Sequence, residues 1–231
     1  MNQSARRSSF VNRHTARPLL LLLLVVVVLL PVRPSLAGEP SPGMKLQHTE
    51  LSPRGDIVVE HYFNSEDYQR EVWLALADGS SKRFLLYTHG RSIEVLFSPD
   101  QTWLIVNDFA GSNVAEPYLF RRSQGIEYRK DKNANVANTV WQFVGKRHPA
   151  VLSGDFGHRY VRVMRWASDS RAFLVAAFGH VDSSEKQIAL DPWLCVFMID
   201  GMRISLELGL MNRGSLHSGR GGEKPPSGQW K

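Results

Sequence analysis

Cysteine is almost absent from this chain. Cys195 is the only one in 231 residues, so no intrachain disulfide can staple the fold. Its surroundings, Trp193-Leu194-Cys195-Val196-Phe197-Met198-Ile199, are apolar. They predict a small buried side chain, because a reactive thiolate needs a setting that lowers its pKa. Catalytic signatures are absent as well: there is no Gly-x-Ser-x-Gly elbow, no His-Glu-x-x-His, no Gly-Lys-Ser/Thr phosphate loop and no cysteine pair for zinc. Nothing in the sequence announces a cofactor or a metal centre. The histidines beyond the first segment, His48, His61, His89, His148, His158, His180 and His217, include no pair at the helical i, i+4 spacing. Acidic residues are missing from the first 37 positions. Beyond those positions there is no Asn-x-Ser/Thr glycan acceptor.

Those first 37 residues have the three parts of a secretory signal peptide. Arg6, Arg7, Arg13 and Arg17 form a charged head, and Leu19–Leu30 is an unbroken apolar core. Pro31 and Pro34 break the core, and Ser35-Leu36-Ala37 puts small residues at a cleavage site before Gly38. The apolar run falls short of the roughly 20 residues that span a bilayer. The expectation is an exported protein, periplasmic or extracellular, whose working chain starts near Gly38 with no membrane span after cleavage. The segment carries five of the 28 basic residues and none of the 22 acidic ones. The remaining 23 against 22 make the rest near neutral, so the high overall pI does not indicate a nucleic-acid partner.

Similar turns recur along the chain. Ser52-Pro53-Arg54-Gly55, Ser98-Pro99-Asp100-Gln101 and Ala167-Ser168-Asp169-Ser170 each feed a run of β-branched and aromatic residues. Two are preceded by another such run, Ile93–Phe97 and Val161–Trp166, which is a hairpin pattern. A third run follows in each unit: Val72-Trp73-Leu74, Tyr118-Leu119-Phe120, and Trp193 to Ile199. Each ends at a turn pair, Asp78-Gly79, Gln124-Gly125 or Asp200-Gly201. From first turn to closing turn the separation is 27 residues in units one and two and 34 in the third, which carries an insertion near Asp182 to Gln187.

Phe97-Ser98-Pro99-Asp100 and Trp166-Ala167-Ser168-Asp169 resemble the turn between inner strands of β-propeller blades of the WD-repeat and Tol-type periplasmic kind, and Asp200-Gly201 resembles the blade-closing turn. The resemblance implies a mainly β fold of three blade-like antiparallel units, about 46–80, 90–126 and 159–202, within a domain of 46–211. Only the first turn has the family's glycine. Three units fall short of the four to eight blades that close a ring, so the expectation is a partial or open arrangement.

Between the second and third units the period changes. Ala134, Ala137, Val140, Trp141 and Val144 recur at spacings of three and four, which predicts a helix over about 131–145. Asp131 is the expected cap and Gly145 the expected stop, with the helix lying across the sheet over an exposed edge strand. Residues 38–45 read as a linker. The stretch 212–231, poor in apolar residues, reads as a disordered basic tail.

Two loop clusters carry the candidate binding residues. Strand pairing brings Arg91, Asn107, Asp108, Ser112 and Asn113 to one end of the second unit, where Arg91 and Asp108 are placed to pair or to face a ligand. It brings Asp155, His158, His180 and Asp182 to the same end of the third unit, and His61 holds the matching place in the first. A polar rim shared by three units points to a non-catalytic binding or interaction module, whose partner is a protein, a small molecule or a second copy of the chain. The alternatives are a hydrolase using the His–Asp cluster and a partial propeller completed by oligomerisation, which requires an exposed apolar sheet face.

Overall fold

The computed structural model describes residues 38–152, 156–181, 187–209, 212 and 216–219, with 187, 188 and 216–219 described by backbone alone. The segment 1–37 expected to be a signal peptide lies outside the described residues. The fold is mainly β. The first unit is an antiparallel meander of β1 (Lys45–Leu51), β2 (Ile57–Phe63), β3 (Arg70–Leu76) and β4 (Arg83–His89). The second is β5 (Ile93–Phe97), β6 (Trp103–Asp108), β7 (Val114–Gln124) and β8 (Glu127–Lys130). The third is β9 (His158–Trp166), β10 (Ala172–His180), β11 (Gln187–Met198) and β12 (Arg203–Glu207), with β13 (Leu216–Gly219) also on β11. A short parallel pairing of β7 with β9, Val114 to Arg159 and Ala115 to Tyr160, links the second and third units.

The three first turns share one construction. The amide of Ser52, Ser98 or Ala167 donates to the carbonyl five residues on, at 2.8–2.9 Å. The amide of Gly55, Gln101 or Ser170 closes the turn onto the carbonyl three residues back, at 2.8–3.1 Å. This last position is left-handed in all three, with φ of 73°, 57° and 60°. For Gln101 and Ser170 that conformation costs about 1–2 kcal/mol. Each is buried and reaches the turn of the preceding unit: Gln101 Nε2 donates to Asp56 Oδ1 at 2.8 Å, and Ser170 Oγ accepts from the Asp100 amide at 3.0 Å. Gly55 belongs to the first unit, where open space surrounds its Cβ position. The departures from glycine are therefore the residues that join successive sheets.

Period-2 alternation places the core. In the second sheet Leu104, Val106 and Phe120 pack with Ile57, Val59, Val72 and Leu74 of the first sheet. Ile105 and Leu119, on the opposite face, pack with Val161, Val163, Phe173, Val175, Trp193 and Phe197 of the third. Each fully buried aliphatic or aromatic side chain contributes about 1.5–3 kcal/mol. Cys195 is buried in this second layer.

The helix differs from its expected bounds. α1 runs Val136–Arg147, and Asn135 caps it by accepting from the Asn138 amide at 3.0 Å. Asp131 spends its carboxylate on the Asn133 amide in a local turn. Gly145 lies inside the helix, where an added Cβ would meet Leu152 at 2.3 Å. The helix does not merely cover an edge strand. Val136, Val140, Trp141 and Val144 are buried in the core shared with the second and third sheets, and Arg147 pairs with Glu207 of edge strand β12.

Both terminal stretches differ as well. Residues 38–44 cross the outer face of the first sheet: Ser41 bonds the Glu71 carboxylate and Gly38 sits against Trp73. The reading of 212–231 as a tail fails at two places. Asn212 bonds the amide and carbonyl of Leu194 at 2.7 and 2.9 Å, and β13 pairs with residues 187–190. Asn212 shares the Leu194 carbonyl with the Leu208 amide, and β13 takes the stretch of β11 beyond β12. The outer face of the third sheet presents half-exposed Leu174, Phe178, Leu194, Val196 and Met198 and a 53 % exposed Leu206, with Arg165 opposite Leu174 and Arg203 opposite Met198.

Candidate functional site

Odd strands of the first two meanders begin, and even strands end, at the end opposite the three first turns. Two clefts lie at that end. The larger, about 700 Å³, lies between the start of β7, the end of β8 and the N-terminal turn of α1, and Glu116, Tyr118, Lys130, Trp141 and Arg159 line it. Lys130 Nζ stands 3.5 Å over the Tyr118 ring. The smaller, about 280 Å³, is lined by His48, His61, Arg70, His89 and Arg91.

The structure separates the first predicted cluster. Asn107 is buried, and its amide serves as a rung between sheets: Nδ2 donates to the Val163 carbonyl at 2.8 Å and Oδ1 accepts from the Val163 amide at 2.9 Å. No polar atom of it is left for a ligand, since Nδ2 also donates to Glu94. Asp108 is buried too, and its Oδ2 accepts from the Tyr87 hydroxyl at 2.7 Å instead of pairing with Arg91. Burial and the adjacent Asp108 push the Tyr87 hydroxyl pKa up. Arg91 is exposed and lines the smaller cleft. Ser112 offers its carbonyl to the Tyr160 hydroxyl, and the Asn113 carbonyl accepts from the Arg159 amide at 2.9 Å. Asn113 lines the larger cleft.

Of the second cluster, His158 and His180 meet as a cross-strand pair with rings stacked at 4.0 Å. His158 Nδ1 is 2.9 Å from the Tyr160 hydroxyl. Asp155 and Asp182 lie outside the described residues.

His61 stands not in a rim loop but inside β2, 8 % exposed. Its ring stacks on His48 at 4.0 Å, and Glu50 approaches both rings. Burial, then the neighbouring His48, push the His61 pKa down to about 4. Burial also lowers His89, whose Nδ1 lies 2.5 Å from the Arg91 carbonyl. Sequence reasoning missed His48 and Glu50. A bulge at Gln47 shifts the register so that His48, rather than Gln47, stands opposite His61. A one-residue shift of this kind leaves no mark in an alternation pattern.

No family model matches the chain, and no curated protein matches it. Among solved structures, a Pyrococcus horikoshii acylaminoacyl peptidase is similar at 13 % identity with a TM-score of 0.39; the match covers 77 % of this chain and 25 % of that one. The chain thus spans about a quarter of that structure's length.

Proposed function

We propose that this chain is exported and works as a non-catalytic binding module, presenting the end of its sheets opposite the three first turns to a protein or small-molecule partner. One observation carries the reading: both clefts lie at that end, with polar and cationic side chains contributed by all three units. The larger, at about 700 Å³, is within the size of ordinary ligand sites.

The test is a thermal-shift screen of a small-molecule and peptide panel on the purified protein. It is repeated with Lys132→Glu and Arg91→Glu at the clefts, and with Arg54→Glu in a turn at the far end. Ligands weakened by the cleft substitutions and indifferent to Arg54→Glu support the reading. Ligands that ignore the clefts, or turnover of ester, peptide or glycoside substrates, count against it.

A second reading, completion of the open stack by another copy of the chain, has its own support in the apolar row Leu174, Val196 and Leu206, half-exposed or exposed, on the outer face of the third sheet. The outer face of the first sheet is closed by residues 38–44 and by the Arg83–Glu60 ion pair. Pairing through two third sheets is therefore the arrangement that this reading favours.

A further inference from the structure

Two imidazole nitrogens and a carboxylate oxygen converge on edge strand β1. His48 and Glu50 stand two residues apart in β1, so they leave the same face. The Gln47 bulge sets His48 directly opposite His61 of β2. Both Nε2 atoms approach one oxygen, Glu50 Oε1, at 3.3 Å from His48 and 3.5 Å from His61. The donor atoms of the three residues all lie within 4.8 Å of one another.

The two nitrogen–oxygen separations match edges of a coordination tetrahedron. Zinc bonds of about 2.0–2.1 Å put neighbouring donors about 3.3–3.4 Å apart. The His61 nitrogen supplies a second, independent observation. His61 is 8 % exposed, and its Nε2 is buried with no hydrogen-bond partner, a state that buried polar atoms rarely keep. An ion at the shared oxygen would give that nitrogen its partner. Arg70, which lines the same cleft, does not fill the place. Arg70 turns its guanidinium to the Gly90 carbonyl at 3.0 Å and over the Phe63 ring at 4.4 Å.

The geometry points to a binding site for one divalent transition-metal ion, zinc by donor type, held by His48 Nε2, Glu50 Oε1 and His61 Nε2. Two imidazoles and a carboxylate form a known zinc donor set, and three protein donors leave a fourth position to water or a ligand. Nickel and copper suit the same nitrogens. Stacking alone does not define the site: His158 and His180 stack at the same 4.0 Å and 12° as His48 and His61. Among the described residues, the pair joined by Glu50 is the one that completes a cluster of three donors.

The experiment is a calorimetric zinc titration of the full chain after metal stripping. The expected result is one zinc per chain, with Glu50→Gln and His48→Ala each weakening binding by at least about tenfold. Both positions are exposed on the edge strand, and unchanged circular dichroism and melting without metal would show that the variants fold. His158→Ala serves as the control and leaves binding unchanged. Absence of stoichiometric binding overturns the proposal, as does binding that Glu50→Gln and His48→Ala leave within twofold. So does loss of binding in His158→Ala with retention in His48→Ala, which would move the ion to the third sheet.

Discussion

Asn107 and His61 illustrate how a side chain's neighbours decide its role. Both are polar, both lie near strand ends, and both read from sequence as rim residues. Asn107 imitates a strand, using one amide to bond the backbone of Val163 on the next sheet. His61 is buried with a depressed pKa, which has a consequence for pH. Between its ordinary value near 6.5 and the folded value of about 4, the unfolded chain binds a proton at this position that the folded chain does not. Stability contributed by neutral His61 is therefore complete above 6.5 and is lost as pH falls toward 4. His89, also lowered by burial, acts in the same direction. The urea midpoint should fall between pH 6.5 and 4, and His61→Gln should flatten that fall. A wild-type midpoint that stays level across this window would contradict the assignment. None of this was legible in the sequence. The alternation around His61 does not reveal that a bulge at Gln47 brings His48 over it, nor that β1, with every residue exposed, pairs there at all.

At the scale of elements, most of the pattern was legible, because turns and periodicity are local. The three first turns and the three closing turns stand where the sequence puts them. Gly79, Gly125 and Gly201 have φ of 78°, 50° and 72°, as closing turns of this kind require. The fourth strand of each unit was not legible: β4, β8 and β12 carry charged and half-exposed residues that blur their alternation. The helix was legible through its apolar spacing, while its start was not, since Asp131 and Asn135 are both capable caps. The packing of Val136 selects Asn135. Asn135→Ala should cost about 1 kcal/mol in chemical denaturation. Asp131→Ala should cost less, since it breaks a turn outside the helix. Equal costs, or the reverse order, would mean that the helix starts earlier than Val136.

For the whole molecule, the three units form an open stack, the second and third joined through β7 and β9 into one nine-stranded sheet. The second sheet is buried on both faces, between the first sheet and the third with its helix. The two outer sheets end the stack differently. The first is closed by residues 38–44, with Glu71 held by Ser41 and the Trp73 indole. The third leaves Leu174, Val196 and Leu206 in one cross-strand row, half-exposed or exposed. If a second copy covers this row, light scattering should report a dimer. Leu206→Lys, on an edge strand and 53 % exposed, should return it to a monomer without loss of melting temperature. A monomeric wild type would reject the oligomer reading and leave the cleft end as the surface to pursue.

Neighbours along the chain set the local elements, and those elements were readable from the residues alone. Recurring turn residues marked three β-strand units, apolar alternation marked their buried faces, and a change of period marked one helix between the second and the third. Tertiary structure decided what depends on neighbours across space. The register at one bulge made His48, Glu50 and His61 a cluster, and the approach of successive turns gave Gln101 and Ser170 a reason to stand where glycine is usual. The sheet stack spent the Asn107 amide on the Val163 backbone and Asp108 Oδ2 on the Tyr87 hydroxyl. The physical reason is the same in each case: backbone preference acts over a few residues, whereas burial and hydrogen-bond pairing are settled only when distant strands meet.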